Sequence, residues 1–364
     1  MRFFPKPTVG FGPGFQTERT LIVQNLTRAS AELFRRGDDE RFESLAALSA
    51  HLRAKRERSR DRWQPPTQLE ASPVDGGLLL NAGSDGAFLM NHWSFGQLCK
   101  LAGVGKETVN RLSPDTASSV FAETLPRGQK PLQLFTEGEN LRSIHGTSYT
   151  RLYDADLVAM LQEFAVDFEP PQKGFNGATG LYAGEQDLFC FLIDPAGWTE
   201  IRGEAFAPGF FIWNSEVGRR SLGVQTFWFQ QCCCNHIVWD AVDVFEFTRK
   251  HTANVHESLR EIRRIIEALV VERDKRRDGF AKVIQKAMEE KLGDGAEEVM
   301  KVLQKNGITR SAAKQALEIA GRQGRFTIFA LVDALTRIAR ETNNAGDRAD
   351  ADERASQLLS LAAA

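Results

Sequence analysis

Apolar positions recur at helical spacing in some stretches of this chain and alternate with period two in others, and the two patterns occupy different regions. Over residues 17–36, Leu21, Leu26, Ala29 and Leu33 predict a helix. A second helix is predicted over 42–62, apolar at its start (Phe42, Leu45, Leu48) and strongly basic at its end. Trp63 and the pair Pro65–Pro66 stop it. Residues 67–90 place Asp75, Gly76 and Gly77 between apolar runs, which predicts a hairpin. Residues 131–145 alternate around Glu137, Gly138, Glu139 and Asn140, which predicts another. Asp154 is a candidate N-cap for a helix carrying Leu157, Met160, Leu161 and Phe164. Strands are expected over 187–194, 210–213, 222–229 and 232–239. A long helix over 252–288 follows, with Leu259, Ile262, Ile265, Ile266 and Leu269 on one face. Helices over 297–305, 311–320, 327–340 and 352–361 close the chain, separated at Gly307, Gly321 and Gly324.

The predicted fold class is therefore α+β. A central antiparallel sheet, drawn from the strands between Leu132 and Trp239, is backed by helices, with helical extensions at both ends. The expected division is a helical region at 1–125, an α+β core at 126–290 and a helical region at 291–364. A chain of 364 residues is long enough for more than one core. No apolar run is long enough to span a bilayer, and the first residues have no signal-peptide pattern, so a cytoplasmic location is expected. The five cysteines (Cys99, Cys190 and the adjacent Cys232, Cys233 and Cys234) are odd in number and do not suggest a disulfide framework. The net charge of −2 supplies no global field that would steer the protein to nucleic acid, so any such binding needs local patches.

Two segments have helix-turn-helix spacing. In the first, Cys99 precedes Gly103 by four residues and Val104, Val109 and Leu112 follow, so a recognition helix would carry Lys106, Glu107, Asn110 and Arg111. In the second, Gly307, Ile308 and Thr309 precede a helix opening at Ser311. Plain packing of a helix pair is the competing reading of both.

Candidate chemistry concentrates in the polar loop 214–220 (Asn214, Ser215, Glu216, Val217, Gly218, Arg219, Arg220), which lies between aromatic-rich strands. One reading is a structural hairpin turn. The other is an anion site, in which Arg219 and Arg220 hold phosphate oxygens. Arg142 and Arg151 recur at strand ends, with Tyr149 and Tyr153 beside them and Phe227, Trp228 and Phe229 on the sheet. Stacking rings beside a basic groove hold single strands without sequence preference, and the rings as core are the competing reading. The basic run 53–62 is a further electrostatic patch. Cys232, Cys234 and His236 fall on one face of an extended segment, yet three ligands without a second cysteine pair make a poor structural zinc site. Asp187, Glu216 and His236 are the candidate metal ligands of a hydrolase, although no paired-carboxylate motif sits on one strand.

Taken in order, several of these segments resemble the phage/plasmid-like protein family known as domain-of-unknown-function family 932. They are the helix pair from Gln97 to Leu112, Arg142 with Ser143 and Ile144, and the stretch Ser148, Tyr149, Thr150, Arg151, Leu152, Tyr153 and Asp154. Asp187, the loop from Asn214 to Gly218, the pair Cys234–Asn235, and Lys250, His251 and Thr252 follow. The helix from Ala330 to Ala339 is similar to that family's asparagine-alanine-leucine-threonine segment, with Asp333 in place of asparagine. The family's basic residue before its cysteine is not present, because Gln230, Gln231 and Cys232 precede Cys233. The resemblance implies carriage on a prophage, phage or plasmid and implies no reaction. The leading expectation is a non-enzymatic protein that binds single-stranded nucleic acid, without a cofactor and as a homo-oligomer. It would contact its ligand through Arg142, Tyr149, Arg151, Asn214, Arg219 and Arg220. A metal-dependent nuclease or hydrolase and a module binding a host protein are the alternatives.

Overall fold

In the computed structural model the described residues are 40–74, 77–171, 180–231, 236–238, 246–252, 254–322, 326–341, 358–359 and 361–362. The expected helix over 17–36, the triple cysteine and most of 352–361 lie outside them. The chain is α+β, and its strands form two sheets rather than one.

The first sheet is six-stranded, in the order β1-β5-β6-β4-β3-β2. Its strands are β1 (Ser59–Gln64), β2 (Leu69–Val74), β3 (Gly77–Ala82), β4 (Ala87–Met90), β5 (Leu132–Glu137) and β6 (Asn140–His145). All neighbours are antiparallel except β4 and β6, which run parallel. The expected hairpin at Glu137–Asn140 is formed as β5–β6, and β2 pairs with β3 on either side of residues 75 and 76, which lie outside the described residues. The β5–β6 hairpin pairs with strands from before residue 125, so no boundary separates the two segments there.

α1 (Leu45–Arg58) leads into β1. Ser44 caps it by accepting a hydrogen bond from the Ala47 N–H, and Lys55, Arg56 and Arg58 in its last turn suit the negative end of the helix dipole. The expected helix to residue 62 is thus corrected. The chain turns extended at Ser59 and pairs with β5 from Ser59↔Glu137 to Gln64↔Leu132. α2 (His92–Ala102), α3 (Lys106–Val109) and α4 (Pro114–Thr124) cover one face of this sheet, where Phe95, Leu98 and Phe121 meet Leu80, Leu134 and Leu141.

The second sheet is seven-stranded and antiparallel. It contains β7 (Leu181–Ala183), β8 (Leu188–Ile193), β9 (Thr199–Ile201), β10 (Glu204–Asn214), β11 (Leu222–Gln231), β12 (His236–Val238) and β13 (Glu246–Arg249). β10 is buried from Phe206 onwards, so its residues on both faces are apolar. Phe210 and Ile212 face α1, α5 (Asp154–Phe164) and α6 (Ser258–Val271), whereas Phe211 and Trp213 join an aromatic cluster with Phe191 and Phe227.

The expected long helix over 252–288 is two helices, α6 and α7 (Arg273–Glu289), interrupted at Glu272. α8 (Ala296–Lys305), α9 (Arg310–Arg322) and α10 (Ile328–Glu341) pack with α7 on Phe206 and Trp228 of the second sheet. No described helix is long and apolar enough to cross a membrane.

Candidate functional site

β10 ends at Asn214, and the loop after it passes between the two sheets. Gly218 sits in this loop with φ +71°, and a Cβ there would lie 2.7 Å from His145 Cε1, so the sequence needs glycine at this point. Asn214, Ser215, Glu216, Val217 and Arg220 are buried, and only Gly218 is exposed. The polar groups of a buried loop must find partners, and here the surrounding elements supply them. Asn214 Nδ2 donates to the Leu152 carbonyl at 3.0 Å and to Asp154 Oδ1 at 2.7 Å. The Tyr149 hydroxyl donates to the Glu216 carbonyl at 2.9 Å, and Trp93 Nε1 donates to the Val217 carbonyl at 2.9 Å. Ser215 Oγ donates to the Gln186 carbonyl at 2.5 Å and accepts from the Arg219 N–H at 3.0 Å.

Ion pairs complete the enclosure. Arg142 Nη1 meets Glu216 Oε2 at 2.7 Å, and its other amino group donates to the Glu185 carbonyl at 2.9 Å. Arg151 holds Asp61 through Nε at 3.0 Å and Nη2 at 2.8 Å, and also donates to the Glu216 carbonyl. Tyr153 donates to the same Asp61 at 2.6 Å. Arg220 Nε meets Asp187 at 3.0 Å, and Arg219 reaches Gln186 Oε1 at 2.8 Å. Lys55, buried in the last turn of α1, donates to the Gly184 carbonyl at 3.1 Å.

Glu216 and Asp154 form an unequal pair of buried carboxyls. The Asp154 N–H donates to Glu216 Oε1 at 3.1 Å. Burial, followed by the neighbouring Glu216 charge, pushes the Asp154 carboxyl well above its ordinary range. Burial opposes ionisation of Glu216 as well, but Arg142 and Lys55 together outweigh it and hold that carboxyl low. His145, Tyr149 and His251 stack beside them: the His145 and Tyr149 rings are 3.7 Å apart, and Tyr149 and His251 are 5.4 Å apart. Burial drives His145 down to about 3 and His251 down to about 4, so both are neutral imidazoles near neutral pH.

The residues expected to grip a strand therefore do gather, but around one another. Arg142, Arg151 and Arg220 are buried and paired with carboxylates, and Asn214 is wholly buried. Tyr149 is sandwiched between two histidines, and Arg219 is turned to Gln186. Phe227, Trp228 and Phe229 are core residues. Among the described residues no open basic groove lined with rings exists at this loop, because the loop's own carbonyls and acids need those donors. Two of the three alternative metal candidates are engaged in ion pairs. Asp187 is neutralised by Arg220 and Glu216 by Arg142, and the His236 side chain lies outside the described residues. Among the described residues no group of three or more His, Cys, Asp or Glu side chains is placed to hold a metal ion. Asp61 and Asp154 are central to this network, and the sequence marks Asp154 only as a helix-start candidate and as the end of the family-like stretch. The one available signal for Asp61 was an acid inside a run of arginines.

Exposed charge lies elsewhere. The basic run splits by side: Lys55, Arg56 and Arg62 turn inward or are half-buried, while Arg53, Arg58 and Arg60 are exposed. Trp63, near the end of the same strand, is 47% exposed. β1 is an edge strand, paired on one side with β5. The first helix-turn-helix candidate is also corrected by the structure. Its second helix, α3, is a single turn of four residues, and Lys106 folds back onto the His92 carbonyl at 3.0 Å.

No protein-family model, no curated protein and no solved structure matches this chain.

Proposed function

We propose that the protein binds single-stranded nucleic acid without sequence preference, as a non-enzymatic component of a phage, plasmid or prophage. The binding surface in this reading is the α1–β1 edge and not the buried loop. The observation that carries it is the exposure of Trp63, the one aromatic ring among the exposed large apolar side chains of the described residues. It lies one residue before the end of β1, which bears Arg60 on its opposite face, and the helix leading into that strand bears Arg53 and Arg58, so the cations border the edge on both sides. An exposed indole offers a stacking face to any base, and exposed guanidinium groups offer contacts to the phosphates between bases. Arg58 keeps a partly exposed pairing with Glu137 at 2.9 Å, a contact cheap to exchange for a phosphate. The mobile-element setting follows from the sequence resemblance alone.

Fluorescence anisotropy of a labelled oligothymidylate across a salt series tests this reading. Trp63→Ala is expected to weaken binding by about 1–3 kcal/mol, the usual worth of one stacked base. Arg58→Ala with Arg60→Ala is expected to reduce the salt slope by about 1.4, at about 0.7 per phosphate contact on a single strand. Failure of the unmodified protein to bind at low salt, or binding indifferent to both variants, sinks the proposal.

A further inference from the structure

The second helix-turn-helix spacing leads into a helix of 13 residues, where the first leads into one of four. α8 ends at Lys305 with Asn306 as its cap, and Gly307 takes φ +79°, a conformation open to glycine at little cost. Its N–H donates to the Gln304 carbonyl at 3.0 Å, and the Ile308 N–H donates to the Leu303 carbonyl at 3.0 Å. Ile308 is buried in the angle between the two helices. Thr309 then caps the start of α9, its hydroxyl accepting from the Ala312 N–H at 3.3 Å and its carbonyl from the Ala313 N–H at 2.9 Å. Four residues thus separate two helices, and both are fixed to one core by Val299, Leu303, Ala313, Ala316 and Ala320 with Leu331 and Leu335 of α10.

The buried side of α9 is largely alanine, which brings its backbone close to its neighbours. Its other side carries Arg310, Ser311, Lys314, Gln315, Glu318 and Arg322, all exposed. Among the described residues Arg310, Lys314 and Arg322 make no ion pair, in contrast to the arginines around loop 214–220 and those of α6. Lys301 and Lys305 of the preceding helix α8 are likewise exposed. A helix of 13 residues is about 20 Å long, enough to lie along a major groove.

We propose that α9 docks in the major groove of double-stranded DNA. Arg310 and Lys314 make the cationic contacts, while Ser311, Gln315 and Glu318 face the base edges. These side chains have the hydrogen-bonding chemistry that groove reading uses: an amide for adenine, a carboxylate for the cytosine amino group and a hydroxyl for either. The site is separate from the Trp63 surface, so the protein holds duplex at one place and single strand at another.

The test uses the full chain and a labelled duplex of about 30 base pairs, titrated from about 50 to about 200 mM salt. Arg310→Ala with Lys314→Ala is expected to lower duplex affinity at least about tenfold and to flatten the salt slope by about 1.8, at about 0.9 per contact. Its thermal midpoint and its affinity for oligothymidylate should stay unchanged, which separates this site from the single-strand surface. Gln315→Ala should retain affinity while broadening the sequences selected from a randomised duplex pool. The proposal is overturned if the unmodified protein does not bind duplex at low salt. It is equally overturned if duplex binding survives the Arg310/Lys314 change and is abolished instead by Arg58→Ala with Arg60→Ala.

Discussion

Glu216 has one guanidinium group against its carboxylate, a backbone N–H on its other oxygen, and two further donors on its carbonyl. Its partner Arg142 is as deeply buried as it is. Removing one member of such a pair leaves an uncompensated charge in a dry site, which costs about 3–5 kcal/mol, whereas removing both costs much less. Glu216→Ala and Arg142→Met are each expected to destabilise the fold by about that amount, and the double variant by clearly less than the sum. Urea denaturation of the four proteins measures the coupling, and additive losses would show that the two side chains act independently. The sequence made the arginines legible, since a long cation at a strand end beside a polar loop is unusual. Their counter-charges were not. Asp61 lies 90 residues before Arg151 and Arg142 lies 74 before Glu216, and nothing local signals a pairing across that separation. Burial was equally hidden, because the same arginine serves a groove or a core according to what the fold puts over it.

Among the elements, β1 shows where local preference lost to pairing. Arg60, Asp61 and Arg62 continue the charged pattern of α1, and arginine is a good helix former, so the sequence reads as one helix. The ladder with β5 and the capture of Asp61 by Arg151 and Tyr153 are long-range gains that override it. The break at Glu272 was equally hidden, since Val270, Val271, Glu272 and Arg273 contain no glycine or proline. The β5–β6 hairpin was legible because turn residues and alternation agree there. The ring stack binds the end of β6, the loop after it and the segment between β13 and α6 into one unit, and it makes that unit sensitive to acid. His145 and His251 stay neutral in the fold down to about 3 and about 4, while in the unfolded chain they titrate near 6.5. Below pH 6.5 the unfolded state therefore binds more protons, and stability falls as pH falls. The two histidines contribute a slope of up to about 2.7 kcal/mol per pH unit. Asp154, raised in the fold, binds its proton preferentially in the native state and opposes them by up to about 1.4. Denaturation curves between pH 6.5 and pH 4.5 should show stability dropping as acid is added, and His251→Gln should remove about 1.4 kcal/mol per pH unit of that slope. An unchanged slope in the variant would mean that the imidazole is protonated inside the fold.

At the scale of the whole molecule, the expected single sheet became two because β5 and β6 join the strands that precede residue 125, and pairing between distant strands leaves no mark in a local pattern. The helices α8, α9 and α10 were legible as helices, but their attachment was not. They are joined to the second sheet through rings: Phe280 of α7 stacks on Trp228 of β11 at 4.0 Å with planes 3° apart, and meets Phe206 of β10 edge-on at 5.3 Å. Arg273 and Arg202 add ion pairs to Asp194 and Glu289 across the same seam. The second sheet has its own core against α1, α5 and α6, built from other residues. Phe280→Ala thus removes the main apolar contact of one core while leaving the other whole. The expected cost is about 3–5 kcal/mol, felt by α7–α10 and not by the sheet's other face. Unfolding of that variant should separate into two steps: an early loss of far-ultraviolet helical signal, then a later loss of the near-ultraviolet signal from the buried aromatic cluster around Trp213. Coincident transitions by the two probes would mean that both cores unfold as one cooperative unit. A resolved early step would carry a consequence for the duplex site on α9. Its orientation would then depend on Phe280, and under the two binding proposals the variant would lose duplex binding at temperatures where oligothymidylate binding persists.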